Sequence, residues 1–224
     1  MIFWVLYFLV GAVNLGLEFF HHETIALLIS RILLMPALMI VWIARKGLKK
    51  DIGKVILSAL IFSWLGDIIL TFSDNGILYF ASGLASFLVA HIFYIIGFSM
   101  EIQRRRQFSA FGKKPWLVWP FVLVFYLLIQ LFWTNLGVMK IPVSIYGGCI
   151  ITMFAMAVNR IWNVPKASYT LTLVGASLFV LSDSMIGYNR FVIPFEGSRL
   201  AIMVTYIVGQ GCIIAGLLKS DRVN

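Results

Sequence analysis

The sequence predicts an all-α polytopic membrane bundle of eight transmembrane helices, and three observations predict it. Of 224 residues, 61% are hydrophobic and only 12% charged, and the mean hydropathy of +0.97 is too high for a soluble domain of this length. The apolar residues gather into stretches of roughly 20, long enough to cross a hydrocarbon core of about 30 Å. None of these stretches alternates with the period of two that a barrel strand needs, and lipid admits only helices or closed barrels.

The elements follow in order. The first stretch, 2–20, lacks the basic lead and small-residue cleavage pattern of a signal peptide, so it is expected to remain as a helix. Glu18 closes it and is expected at the surface. The stretches 25–43 and 54–72 each carry one interior charge, Arg31 and Asp67. The fourth, 77–100, contains His91 and Tyr94, and the fifth, 115–133, is uncharged. The sixth, 138–158, holds Cys149; the seventh, 168–188, holds Asp183; the eighth, 198–218, holds Gln210 and Cys212. The connections are short, so residues 1–224 read as a single integral membrane domain. No CxxC-type motif accompanies the two cysteines, which read as small core residues.

The net charge of +9 is a topology signal rather than a nucleic-acid footprint. Fourteen Lys and Arg fall in "ARKGLKKDIGK", "EIQRRRQFSAFGKK", "NRIWNVPKA" and "KSDRVN", against three in the opposite connections. The positive-inside rule then places both termini in the cytoplasm. Membrane lipids, anionic ones among them, are the expected partners of the basic loops. A bacterial inner (cell) membrane is the expected location, and the oligomeric state is open.

The candidate chemistry lies in "FSWLGDIILTF" and "SLFVLSDSMIGY", where Asp67 and Asp183 interrupt apolar helices. A carboxylate at membrane depth costs at least a few kcal/mol, so it persists only if paired, neutralised or useful. Both lie roughly five residues from the non-cytoplasmic ends of their spans, and Arg31 lies at similar depth on the second span. His91 and Gln210 fall nearer the midplane. Each has a bland reading: Asp67 and Asp183 as a structural clasp, Arg31 snorkelling, His91, Tyr94 and Tyr206 as packing residues. The sharper reading makes Arg31 a counter-ion or phosphate anchor. Zinc hydrolysis needs three or more ligands, and of the three histidines His21 and His22 sit in a connection. No GxSxG elbow or phosphate-binding glycine loop is present. What remains is metal-free, cofactor-free acid–base chemistry by two carboxyl groups.

An internal repeat is also expected as one of two readings, the other being chance likeness of apolar helices. "LIFSWLGDII" aligns with "ASLFVLSDSM", and "FLVAHIFYIIGF" with "YIVGQGCIIAGL", setting Asp67 against Asp183 and His91 against Gln210. Two parallel four-helix halves would bring the carboxyls together at the repeat interface. A proton-coupled transporter of lipid or small solute suits that arrangement as well as an enzyme does.

At "SWLGD", "GLASFLVAHIFY" and "ASLFVLSDSMIGYNRF" the chain resembles the YhhN-like lysoplasmalogenase family of membrane hydrolases, with the motifs in the same order over essentially the whole chain. Where that family tends to carry a Lys on the second span, this chain has Arg31. The resemblance implies hydrolysis of the vinyl ether bond of a lysophospholipid to a fatty aldehyde and glycerophosphocholine or glycerophosphoethanolamine. It implies Asp67 and Asp183 as general acid and as base or cation stabiliser, in an order left open, with His91 orienting one Asp or the water. Arg31, Asn189 and Arg190 would hold the phosphate and glycerol hydroxyls. Tyr94, Gln210, Ser63 and Ser182 would line the pocket, and Phe62, Trp64, Phe87 and Phe179 the lipid chain.

Overall fold

The computed structural model describes residues 2–20, 25–46, 48, 50–104 and 109–220. His21, His22 and part of the basic clusters (Lys49, Arg105, Arg106, Arg222) lie outside the described residues. Among the described residues the regular structure is entirely helical: α1 Ile2–Phe19, α2 Ile25–Lys46, α3 Asp51–Thr71, α4 Ile77–Arg104, α5 Ala110–Lys113, α6 Trp119–Phe132, α7 Lys140–Asn159, α8 Lys166–Phe191 and α9 Ser198–Lys219. Eight runs are long and apolar enough to cross a membrane, and the chain is an integral multi-pass membrane protein. The short α5 is the element the sequence reading left as loop. Ser109 caps it by accepting from Gly112 N–H at 3.0 Å, and Phe111 N–H donates to Asn159 Oδ1 at 2.9 Å. Prolines open three neighbouring segments, Pro115 and Pro120 around the start of α6 and Pro165 at the N-cap of α8, where a missing N–H costs nothing.

The chain forms two compact units, Met1–Phe93 and Tyr94–Asn224, and α4 contributes residues to both. In the first unit, the buried stripe of α1 is Tyr7, Gly11, Asn14 and Glu18, one helical face that packs on α2. That stripe is polar at its far end. Asn14 Nδ2 donates to Ser30 Oγ at 2.9 Å, and Glu18 is buried against the Arg31 guanidinium. Glu18 is therefore not the surface residue its position at the end of a span suggested: α1 and α2 lie close enough there to enclose both charges.

Pro36 sits inside α2. Having no N–H, it leaves the carbonyl of Ile32, one turn earlier, without its helical donor. The Trp64 indole of α3 donates to that carbonyl at 2.8 Å. A second indole, Trp42, reaches Gly53 O at 2.8 Å. In lipid, where no water can step in, such donors tie α2 to α3.

In the second unit α8 and α9 pack at backbone distance. A Cβ at Gly175 would stand 2.6 Å from Gly209 O and 2.7 Å from Ile213 N, so only glycine permits this approach. Where α4, α7 and α8 meet beneath, Arg160 is fully buried. It pairs with Glu101 at 2.7 Å, donates to Ser168 Oγ at 3.1 Å and stands over the Phe98 ring at 5.1 Å. Burial pulls the Arg160 guanidinium below its ordinary pKa and the Glu101 carboxylate opposes that pull; arginine stays charged here.

The α3–α4 and α8–α9 helix pairs, aligned by sequence, differ in their contacts at matched positions. Gly66 faces Phe87. Ser182, in Gly66's equivalent place, donates to Ile202 O at 3.1 Å, one turn from Tyr206, which is the counterpart of Phe87.

Removing one partner of the Glu101–Arg160 pair strands the other charge in the interior, a cost of about 3–5 kcal/mol. Glu101→Leu is expected to lower the thermal unfolding midpoint in detergent sharply. The Glu101→Leu/Arg160→Met double replacement should recover most of that loss. A single variant as stable as the parent would show that the pair contributes nothing.

Candidate active site

In the first unit Asp67 lies four residues before the end of α3 and is half-buried. The glycine before it gives the clearest local geometry. A Cβ at Gly66 would stand 2.6 Å from two atoms of the Phe87 ring, so the glycine lets α4 press its aromatic side chain against α3 one residue before Asp67. The carbonyl of Asp67 also accepts from Thr71 Oγ1 at 2.9 Å. Ser63, one turn before, is fully buried, as is His91 of α4. Ser86 of α4 donates to Phe62 O at 2.7 Å, and the Phe62 and Phe93 rings stack at 5.8 Å. These contacts fix how α4 meets α3 around Asp67.

Arg31 is held by Glu18 of α1, which makes it a counter-ion, with a carboxylate that sequence reasoning had assigned to the surface. Trp64, expected along the lipid chain, commits its indole N–H to the Ile32 carbonyl.

In the second unit Asp183 is half-buried on α8, and the Tyr146 hydroxyl of α7 donates to its Oδ2. Tyr146 stands six residues into α7, and Asp183 eight residues before the end of α8. On antiparallel neighbours these positions are at matching depth. Sequence reasoning missed Tyr146 because a phenol in an apolar run carries no charge signal; counting inward from the start of α7 and the end of α8 would have placed it near Asp183. Asp183 also lies deeper than expected. Helix α8 runs on to Phe191, since no breaker precedes Pro194, and Asn189 and Arg190 therefore belong to its last turn and not to the connection.

Ser182 is buried against α9. Asn189 Oδ1 accepts from Phe195 N–H at 3.3 Å, and Arg190 is exposed. Tyr94 and Gln210, both named from sequence, are brought together: the buried phenol donates to Gln210 Oε1 at 2.6 Å. Tyr206 packs edge-on against Phe179 at 5.5 Å. Cys149 and Cys212 are half-buried thiols. Among the described residues, no three His, Cys, Asp or Glu side chains gather closely enough to hold a metal ion.

The stretch that carries both Asp67 and Asp183 falls within a family match: the YhhN family model matches residues 27–217. The chain belongs to the YhhN family. Its relatives include lysoplasmalogenase TMEM86A of Homo sapiens, 30% identical over 72% of this chain and 64% of that protein. They also include a lysoplasmalogenase of Mycobacterium bovis, 32% identical over 64% of this chain and 53% of that protein. Lysoplasmalogenase TMEM86B of Sus scrofa is 27% identical over 74% of this chain and 64% of that protein. The chain thus spans between 53% and 64% of the length of these relatives. None of the three is named as a transporter. No solved structure matches.

For this YhhN protein the Gly–Asp contact is testable apart from activity. Gly66→Ala forces a methyl into the Phe87 ring and is expected to cost about 1–3 kcal/mol, as overpacking does. Gly66→Ala combined with Phe87→Leu should restore the unfolding midpoint in detergent. An unchanged midpoint in the single variant would refute the contact.

Proposed function

We propose that this protein is a membrane-embedded lysoplasmalogenase. It takes an alkenyl-lysophospholipid from the bilayer and hydrolyses its vinyl ether to a fatty aldehyde and glycerophosphocholine or glycerophosphoethanolamine. The observation that carries the reading is the presence of two carboxyl side chains inside apolar spans, behind the Gly–Asp and Ser–Asp pairs, in a family whose relatives bear that name.

The chemistry needs two such groups. A vinyl ether is cleaved by protonating the alkenyl carbon one removed from the oxygen, which leaves a cation shared between the other alkenyl carbon and the ether oxygen. One carboxylic acid of Asp67 and Asp183 gives that proton. The other, as carboxylate, stabilises the cation and takes a proton from water as water adds to the cationic carbon. The hemiacetal then collapses. Its C–O bond to glycerol breaks, the glycerol oxygen receives a proton and the aldehyde leaves. Glycosidases meet a related oxocarbenium problem with two carboxyls.

His91 orients a carboxyl or the water. Arg31, Asn189 and Arg190 meet the phosphate and glycerol hydroxyls, and Ser63, Ser182, Tyr94 and Gln210 line the remainder. Both termini face the cytoplasm, a reading that the charge asymmetry of the connections supports. A bacterial inner membrane suits the chain best.

The test is aldehyde release from alkenyl-lysophospholipid by detergent-purified protein. The parent is expected to release aldehyde, and Asp67→Asn and Asp183→Asn to lose at least about 100-fold in rate while staying folded, each variant removing a proton-transfer group. No aldehyde from a folded parent with either headgroup, or full rates in both variants, would sink the proposal.

A further inference from the structure

Asp183 is not left to find its own orientation. A carboxyl on a helix rotates about two side-chain bonds, and the Tyr146 hydroxyl, donating from α7 to Oδ2, restricts both. The donor is neutral, so it orients the group without placing a second full charge in the span. It also comes from a different helix, so the carboxyl is referenced to α7 as well as to its own α8. The local sequence supports the approach. Tyr146 is followed by Gly147 and Gly148, and Gly147 takes the Phe125 ring of α6 at 3.5 Å from where a Cβ would stand. On α8, Gly187, one turn beyond Asp183, is filled in the same way by Phe132 at 3.2 Å. Helices α6, α7 and α8 therefore meet through small residues on either side of the hydrogen bond.

We propose that Tyr146 is a positioning residue for Asp183, fixing the carboxyl in the orientation that acts on the alkenyl ether; this rests on the hydrolase reading above. Misplacing a reacting group by about 1 Å can cost 100-fold in rate without altering substrate binding. The phenol is thus expected to act on turnover rather than affinity.

The experiment is the kinetics of aldehyde release by the full-length protein in detergent, with the parent, Tyr146→Phe, and a protein in which 4-aminophenylalanine replaces Tyr146 and restores a donor at the same reach. Tyr146→Phe is expected to lower kcat about tenfold or more with KM within about twofold, the signature of an interaction that orients chemistry rather than binds substrate. The 4-aminophenylalanine protein should regain much of that rate. An active parent with unchanged kcat in Tyr146→Phe overturns the positioning role alone. Loss of folded protein in Tyr146→Phe, or equal losses in both replacements, also overturns it and makes Tyr146 a structural contact. An inactive, folded parent overturns the hydrolase reading and this inference with it.

Discussion

The interior of a bilayer offers no hydrogen bonds, and that single deficit organises this protein. Every polar group placed at membrane depth must find its partner within the protein or leave a cost of a kcal/mol or more. Glu18 meets Arg31, Asn14 meets Ser30, Tyr94 meets Gln210 and Tyr146 meets Asp183. Each of these pairs joins two different helices. Because lipid tails are as apolar as leucine, such pairs, together with close glycine contacts, define helix rotation where soluble proteins would use hydrophobic burial.

The Pro36–Ile32–Trp64 arrangement shows how far one local defect reaches. Proline breaks a single hydrogen bond inside α2, and the freed carbonyl recruits an indole from α3. Trp64 lies on the turn before Asp67, so the bond that repairs α2 also limits how α3 can turn about its axis. The facing side is limited too, by the Phe87 ring seated on Gly66. The position that carries the Asp67 carboxyl therefore lies on a helix restrained from two sides.

The eight spans were legible because a run of about 20 apolar residues has no other stable home. Asp67 and Asp183 were legible because a charge in such a run is expensive. What stayed hidden depends on rotation and on exact helix ends. Glu18 looked like a terminal residue until α2 closed over it. Tyr146 looked like one tyrosine among many until the α7–α8 depth match placed its hydroxyl at Asp183. Asn189 and Arg190 read as loop because α8 outlasts its apolar stretch. Helix α5 was missed for its brevity, although Ser109 three residues before Gly112 is a capping signal that sequence alone displays.

Asp67 and Asp183 stand in different surroundings. Two carboxyls in identical surroundings would favour the same protonation state at the same pH. Here the positions that align by sequence differ: Gly66 against Ser182, Ser63 against Phe179, His91 against Gln210. One carboxyl follows a glycine on which an aromatic ring is seated, whereas the other accepts a hydrogen bond from a phenol of α7. Unlike surroundings of this kind are what the proposed donor and acceptor roles require.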